Sequence, residues 1–433
     1  MGRFSSNPDL FWYFSGQSQT VFGFYSSLMI AAEKLLPLGA LAGAKTKRFV
    51  AGRKEWLPRL QASIGSGDRN IWFHCASLGE YEQAVPVIRE CRRIFPQHRI
   101  LLTFFSPSGM EVKKNSSLAD VTSYLPLDTK KNAGKFLDLV KPEVAIFIKY
   151  EFWPNFLREL QRREIPTVLV SGVFRENQLF FKPYGRWLLK ALQAFDHFFV
   201  QDQQSEKLLN REGFNNVTRS GDTRFDRVAD QLLQDNQLHF IQGFKRESTC
   251  IVAGSTWSED EQILLPFINT GAESVKFIIA PHVIDGERME KLMERIQVPA
   301  IRYSKKEGKS LEQYNVLILD TIGMLSRAYH YGEIAYVGGA AGKTGLHNIL
   351  EPATFGLPVI TGEHIEKFPE ASALMEAGGL VTVTNSQAFQ VIAKKLLDDP
   401  DYRKQMGQNS LKFIQANTGA SALISDYLKS LIQ

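Results

Sequence analysis

The sequence predicts an α/β protein with two doubly wound parallel-sheet domains facing a cleft, preceded by an N-terminal helix suited to a membrane surface. Three observations predict this. The 433 residues exceed one ordinary hydrophobic core and suffice for two. From Trp56 onward, short apolar runs rich in β-formers alternate with helix-length amphipathic stretches, as in sheets whose crossovers are helices. The alternation then restarts at Cys250, as a second sheet would require.

The N-terminal segment comes first, over residues 1–55. No residue from Leu10 to Ala32 is charged, but Ser15 to Thr20 interrupts the run, leaving only Val21 to Ala32 continuously apolar. That length is too short to span a bilayer. Val21, Tyr25, Leu28, Ala32 and Leu35 recur at helical spacing, and Lys45, Lys47, Arg48, Arg53 and Lys54 follow with no acidic residue among them. An apolar anchor with a basic flank suits an anionic membrane surface. The other reading is a helix packed on its own domain with a solvated charge run after it. The segment lacks the form of a cleaved signal peptide, so the bulk of the chain is expected at the cytoplasmic face.

In the first domain, residues 56–225, strands are expected at Ile71–Cys75, Ile100–Phe104, Val144–Ile148, Thr167–Val170 and His197–Val200. In the second, residues 226–433, they are expected at Cys250–Ala253, Val275–Ala280, Val316–Leu319, Ile334–Val337 and Leu357–Ile360. The polar stretch from Gly221 to about Ser248 reads as the connection, and the C-terminal helix is free to pack back on the first domain. A ligand cleft is expected between the domains, at the carboxyl ends of the strands. With 44% hydrophobic and 22% charged residues the chain is globular, and its three cysteines form neither a C-x-x-C pair nor a disulfide framework. A net charge of +5 is mild, and nucleic acid is not expected as a partner.

Candidate chemistry begins at the end of the first strand. The run from His74 through Ser77 and Gly79 to Glu80 is a strand, a tight turn and the start of a helix. A carboxylate there can accept a proton from a sugar hydroxyl, the general-base role of inverting glycosyl transfer. Ser77-x-x-Glu80 is equally a capping box. Glu151 follows the strand Val144–Ile148 and precedes Trp153-Pro154-Asn155, where it either orients a substrate hydroxyl or faces the positive end of the next helix. Arg175, after another strand, is a candidate partner for a carboxylate or phosphate, with Lys182, Arg186 and Lys190 extending the basic region.

In the second half, Gly254-Ser255-Thr256 follows the first strand with small residues that let backbone amides approach a phosphate. His282 follows the next strand. The stretch from Gly338 and Gly339 to His347, Asn348 and Glu351 is a glycine-rich loop running from a buried strand into a helix that opens with His347 and Asn348. Its amides suit phosphate, and Glu351 suits ribose hydroxyls. The spacing is not G-x-G-x-x-G, and Val337 stands where a P-loop needs glycine.

These motifs, in this order, resemble the transferases that attach 3-deoxy-D-manno-octulosonic acid (Kdo) in lipopolysaccharide biosynthesis. The resemblance rests on His74-x-x-Ser77-x-Gly79-Glu80, Glu151-x-Trp153-Pro154-Asn155, Gly254-Ser255-Thr256, Pro281-His282, Asp320-Thr321-x-Gly323, Gly338-Gly339 and His347-Asn348-x-x-Glu351. It implies a GT-B fold, CMP-Kdo as donor, a lipid A precursor as acceptor, Glu80 as general base and a cytidine nucleotide held by Glu351 and its neighbours. Val283 and Ile284 stand where the family commonly flanks its histidine with an arginine. No Asp-x-Asp motif sits at a strand end, so neither a metal nor another cofactor is expected. The competing expectations are another nucleotide-sugar transferase or epimerase, and a non-catalytic lipid-surface binding protein.

Overall fold

The computed structural model describes residues 8–41, 43–113, 116–270 and 275–432. The chain forms two compact units, Met1–Arg227 with Gly419–Gln433, and Val228–Thr418.

The first unit is built on a seven-stranded sheet: β1 (Asn70–Cys75), β2 (Arg99–Phe104), β3 (Val121–Tyr124), β4 (Pro142–Ile148), β5 (Thr167–Gly172), β6 (His197–Val200) and β7 (Val217–Arg219). Its order is β3-β2-β1-β4-β5-β6-β7, with every pairing parallel. Alternation along each strand sends side chains to opposite faces, and both are buried. Trp72, Leu101, Phe147 and Leu169 join one core, while Ile71, Phe73, Leu102 and Ile146 join the other. The same period puts His74 on the Trp72 side. The helix Ala420–Leu431 closes the second core with Ile424 and Leu428. Its entry is held by Asp226, whose carboxylate accepts the backbone N–H groups of Gly419 at 2.6 Å and Ser421 at 3.0 Å.

The second unit repeats the plan with β8 (Thr249–Thr256), β9 (Val275–Pro281), β10 (Ala300–Arg302), β11 (Val316–Ile318), β12 (Ile334–Val337), β13 (Val359–Gly362) and β14 (Leu380–Val383). The order is β10-β11-β9-β8-β12-β13-β14, again all parallel. Near the middle of each sheet the chain order reverses, between β1 and β4 in the first and between β8 and β12 in the second. Open α/β sheets bind ligands at the carboxyl ends of such strands.

Three sequence expectations change. The stretch Gly221–Ser248 is not plain connection, because it contains the helices Arg224–Ala229 and His239–Lys245. The first helix runs from Pro8 to Leu35, and with the turn after it, Val21–Gly39 is long and apolar enough to cross a membrane by length and composition. Glu33 and Lys34, just past the uncharged run, interrupt neither the helix nor the leucines beyond it. Finally, Arg53 is buried rather than part of a solvated basic flank. Its guanidinium lies 3.7 Å from the Phe49 ring centroid and 4.6 Å from that of Phe105, and donates to the Phe105 carbonyl at 2.6 Å. Burial lowers its pKa to about 9.

Candidate functional site

In the first unit the candidate side chains His74 and Glu151 meet where β1 and β4 end side by side. His74 pairs in register with Phe147 of β4, which brings its ring to the turn that follows that strand. The imidazole is fully buried. Its Nδ1 lies 2.9 Å from Thr103 Oγ1 and its Nε2 lies 3.0 Å from Glu151 Oε2. Trp153 Nε1 donates to Glu151 Oε2 at 2.8 Å and to His74 Nε2 at 3.0 Å, and Trp72 Nε1 donates to Thr103 at 2.8 Å. Buried polar groups are held this way because each unmade bond costs about 1–3 kcal/mol. The result is a rigid polar floor beneath the strand ends. Lys149, with φ 69°, and Ser171, with φ 55°, occupy the left-handed region at the ends of β4 and β5, a strain that side chains tolerate mainly at functional turns.

Glu80 lies in the first turn of the helix Leu78–Ile94. Its Oε2 accepts the Ser77 N–H at 3.0 Å and also the Ser77 hydroxyl, so the capping box is formed. Both bonds end on one oxygen. Anchored there, the carboxylate has Oε1 to present to a substrate. Gly79 sits beside it with room for a side chain, since an added Cβ would meet only Ser77 Oγ at 3.8 Å. Arg175 is exposed, and its backbone N–H is held by Gln178 at 2.8 Å. No hydrogen bond joins it to His74 or Glu151.

The corresponding position in the second unit carries different groups. Ser255, at φ 54°, turns the chain out of β8. Trp257 Nε1 donates to His347 Nε2 at 3.0 Å, and the His282 ring stacks on both, with centroids 4.7 Å from Trp257 and 4.3 Å from His347. Burial, with the neighbouring His282, lowers the His347 pKa to about 4, and burial with the nearby Arg288 lowers that of His282. Both rings are therefore neutral acceptors or stacking surfaces near pH 7. Asn348 donates to Glu351 Oε1 at 3.2 Å and accepts the Leu350 N–H at 3.1 Å.

Two expectations are corrected here. The helix after the glycine-rich loop opens at Leu350, not at His347, and spans only Leu350–Thr354. His347 is drawn out of it because its backbone N–H bonds the Gly338 carbonyl at 3.1 Å while its ring reaches Trp257. The loop amides are also not all open to a ligand phosphate. Gly339 donates to Asp260 Oδ2 at 2.9 Å, as does Trp257 N at 2.8 Å, and Tyr336 Oη donates to Oδ1 at 2.9 Å. An internal carboxylate thus occupies part of the amide cradle, and burial pushes its pKa up against these donors. Gly338 and Gly339 serve this packing. A Cβ on Gly338 would lie 2.4 Å from the Ser255 carbonyl, and one on Gly339, where φ is 100°, 2.0 Å from the Gly345 carbonyl.

Sequence reasoning missed Asp260, Thr103 and the hydrogen-bonding role of Trp153. Asp260 stands three residues after Trp257, at capping-box spacing, but the missing hydroxyl at the cap hid the pattern. It also missed Arg288, which lies beyond the apolar Val283 and Ile284. Its Nη2 donates to the Thr256 carbonyl at 3.2 Å and to Glu261 at 2.9 Å.

Two doubly wound parallel-sheet units of seven strands each define a GT-B-like protein. Solved structures share the fold: UDP-GlcNAc 2-epimerase from Neisseria meningitidis superposes with a TM-score of 0.60 at 16% identity, covering 83% of this chain and 100% of that one. Residues 47–227 match the family described as 3-deoxy-D-manno-octulosonic-acid transferase (kdotransferase). The 3-deoxy-D-manno-octulosonic acid transferase of Aquifex aeolicus is 30% identical over 315 residues, 71% of this chain and 80% of that protein. That of Haemophilus influenzae is 27% identical over 430 residues, 95% of this chain and 98% of that protein. The chain belongs to this glycosyltransferase family.

Proposed function

We propose that the protein transfers Kdo from CMP-Kdo to a lipid A precursor, lipid IVA, with inversion, at the cytoplasmic face of the bacterial inner membrane. Within a chain of this family, the observation that carries the reading is Glu80: one carboxylate oxygen is fastened to Ser77, and the other is left to work at the carboxyl end of β1. In this reading Glu80 takes the proton of the attacking acceptor hydroxyl as the new bond forms at the anomeric carbon. The bond from that carbon to the CMP phosphate oxygen breaks with oxocarbenium character, and CMP leaves with the electron pair. His74, Glu151 and Trp153 form the floor at the ends of β1 and β4, while Ser77 and Gly79 shape the Glu80 turn.

The donor is assigned to the second unit. Gly254, Ser255 and Thr256 line the phosphate end, and His282, His347, Asn348 and Glu351 take the nucleoside. Gly338 and Gly339 act by keeping the loop close to β8. Arg175 remains a candidate contact for an acceptor anion, and the N-terminal helix the contact with an anionic membrane. No metal takes part, so transfer survives exhaustive chelation.

The test is to incubate the protein and its Glu80→Gln variant with CMP-Kdo generated in situ and tetraacylated precursor, following the lipid by mass spectrometry. Kdo addition by the wild type is expected. The variant should lose roughly 100-fold or more, the scale of general-base catalysis, while still binding CMP in preference to UMP. Equal activity in both proteins removes Glu80 from its role, and a preference for UMP moves the donor to another nucleotide sugar.

A further inference from the structure

A guanidinium is seldom buried without a carboxylate, because the cost of taking its charge out of water is normally offset by an opposite charge. Arg53 is an exception. It is 6% exposed, and no acid pairs with it among the described residues. Its Nη2 donates to the Phe105 carbonyl at 2.6 Å and its Nη1 to the Phe49 carbonyl at 3.3 Å, one turn back along its own helix. The ring of Tyr124, 5.0 Å away, joins those of Phe49 and Phe105 in covering it. Carbonyls and rings offer partial charges only, so the positive charge stays uncancelled, and the Nε–H has no acceptor. The nearby acids are engaged elsewhere: Glu55 with Arg59 and Glu111 with Arg48.

Arg53 lines a pocket of about 150 Å³ together with Lys54, which is exposed and makes no ion pair among the described residues. Val50, Trp56 and Leu127 give the pocket apolar walls, which strengthen any charge-assisted hydrogen bond made inside it. Glu33, the acid in its wall, accepts from Asn132 Nδ2 at 2.6 Å. Leu125, just past β3, donates its N–H to the Phe104 carbonyl at 2.9 Å, so the pocket lies at the carboxyl ends of β2 and β3. From the same loop, Phe105 N donates to the Cys75 carbonyl at 3.3 Å and Ser106 N to the Ala76 carbonyl at 2.7 Å. The loop that carries the Arg53 acceptor is thereby laid along the turn that holds Glu80.

We propose that Arg53 and Lys54 form a subsite for a phosphomonoester carried by the acceptor lipid, seating the acceptor sugar with its attacking hydroxyl toward Glu80. The proposal rests on the acceptor read above and adds the residues that select it. Two of the five guanidinium N–H groups are used by carbonyls, and three are left for an oxyanion. The planar group and the lysine ammonium together suit a tetrahedral phosphate. General attraction to an anionic surface needs only exposed lysines such as Lys47, and gives no reason to bury a guanidinium beneath three rings.

The experiment titrates the full chain by calorimetry with the deacylated, water-soluble acceptor sugar, phosphorylated and after phosphatase treatment, so that neither membrane nor acyl chains contribute. Wild type should bind the phosphorylated form about 100-fold more tightly, at about tenfold for each of two charge-assisted hydrogen bonds. Lys54→Gln, at an exposed position, should lose about tenfold of that preference. Arg53→Lys keeps the charge without the planar fork and should lose as much or more. Lys47→Gln, outside the pocket, should keep all of it, and Lys54→Gln decides the matter if Arg53→Lys does not fold. Equal binding of the two sugar forms by wild type overturns the subsite, as does full preference in Lys54→Gln or an equal loss in Lys47→Gln. Inorganic phosphate or glycerol 3-phosphate that binds as tightly as the phosphorylated sugar assigns the pocket to a free anion or a phospholipid head group, and also overturns the proposal. Kdo transfer is read separately. Its absence beside an intact binding preference counts against the proposed function alone, and normal transfer beside equal binding of the two forms counts against the subsite alone.

Discussion

In the first unit, the strands beside the order reversal end in a buried imidazole and two carboxylates, His74, Glu80 and Glu151. In the second, β8 and β12 run into glycines and a left-handed serine, while β9 leads into His282, whose ring stacks on His347, both imidazoles having a lowered pKa. Both sheets are doubly wound about the unit's first strand, so the winding explains where the groups stand and not what they do. The chemistry follows from what each turn must accommodate. The first turn keeps acceptors rigid through hydrogen bonds between side chains, whereas the second brings two backbone segments close enough for Asp260 to bind both.

The largest effect expected from breaking this comparison is on glycine. Gly339→Ala places a Cβ 2.0 Å from the Gly345 carbonyl at a φ of 100°, and should cost about 3 kcal/mol or more of unfolding free energy in urea. Gly79→Ala, with open space in a helical turn, should be neutral or stabilise by up to about 1 kcal/mol. Equal costs would show that the two loops are built alike after all.

His74→Ala should come next, at about 3 kcal/mol, because it opens a cavity and leaves the Trp153 and Thr103 groups short of a partner. The same denaturation assay measures it, and a loss below about 1 kcal/mol would mean that the floor is not rigid.

The imidazole of the second unit should instead reveal itself through pH. The His347 pKa is about 4 in the folded chain against 6.5 ordinarily, so between these values the unfolded chain binds a proton that the folded chain refuses. Its contribution is fully present above pH 6.5 and is lost as pH falls toward 4, by about 1–2 kcal/mol after allowing for its partial exposure. His347→Gln keeps an acceptor for Trp257 and should flatten that part of the pH profile. An unchanged slope would place its origin elsewhere.

A loss of stability without a loss of turnover is expected outside both sites. Tyr25→Phe removes one hydrogen bond to Asp128 and should cost about 1–2 kcal/mol, with transfer to a dispersed acceptor nearly unchanged. A large loss of turnover would instead link the helix to the Glu151 turn, whose following helix Asp128 caps through Asn155 and Phe156.

Ten strands were legible as apolar runs, and the four that were not, β3, β7, β10 and β14, are the four sheet edges. An edge strand has a neighbour on one side only and part of its surface in water. Its three or four residues therefore mix polar and apolar types, as in Val217-Thr218-Arg219, and carry no periodicity to read. His74, Glu80 and Glu151 were legible because strand-end carboxylates and imidazoles stand out against apolar runs. Asp260 was not, since nothing local distinguishes an acid that caps one turn from an acid that also binds a loop 79 residues later.

By itself the sequence determined the two-sheet plan, the interior strands and the residues at their carboxyl ends, because these follow from local periodicity and turn chemistry. Only the tertiary structure decided that β1 lies beside β4, which brings His74 to Glu151 across 77 residues, that Asp260 occupies part of the glycine-loop cradle, and which side of the first helix faces outward. Those outcomes depend on which distant surfaces bury one another, and the free energy of that burial is a property of the packed whole, with no counterpart in local spacing.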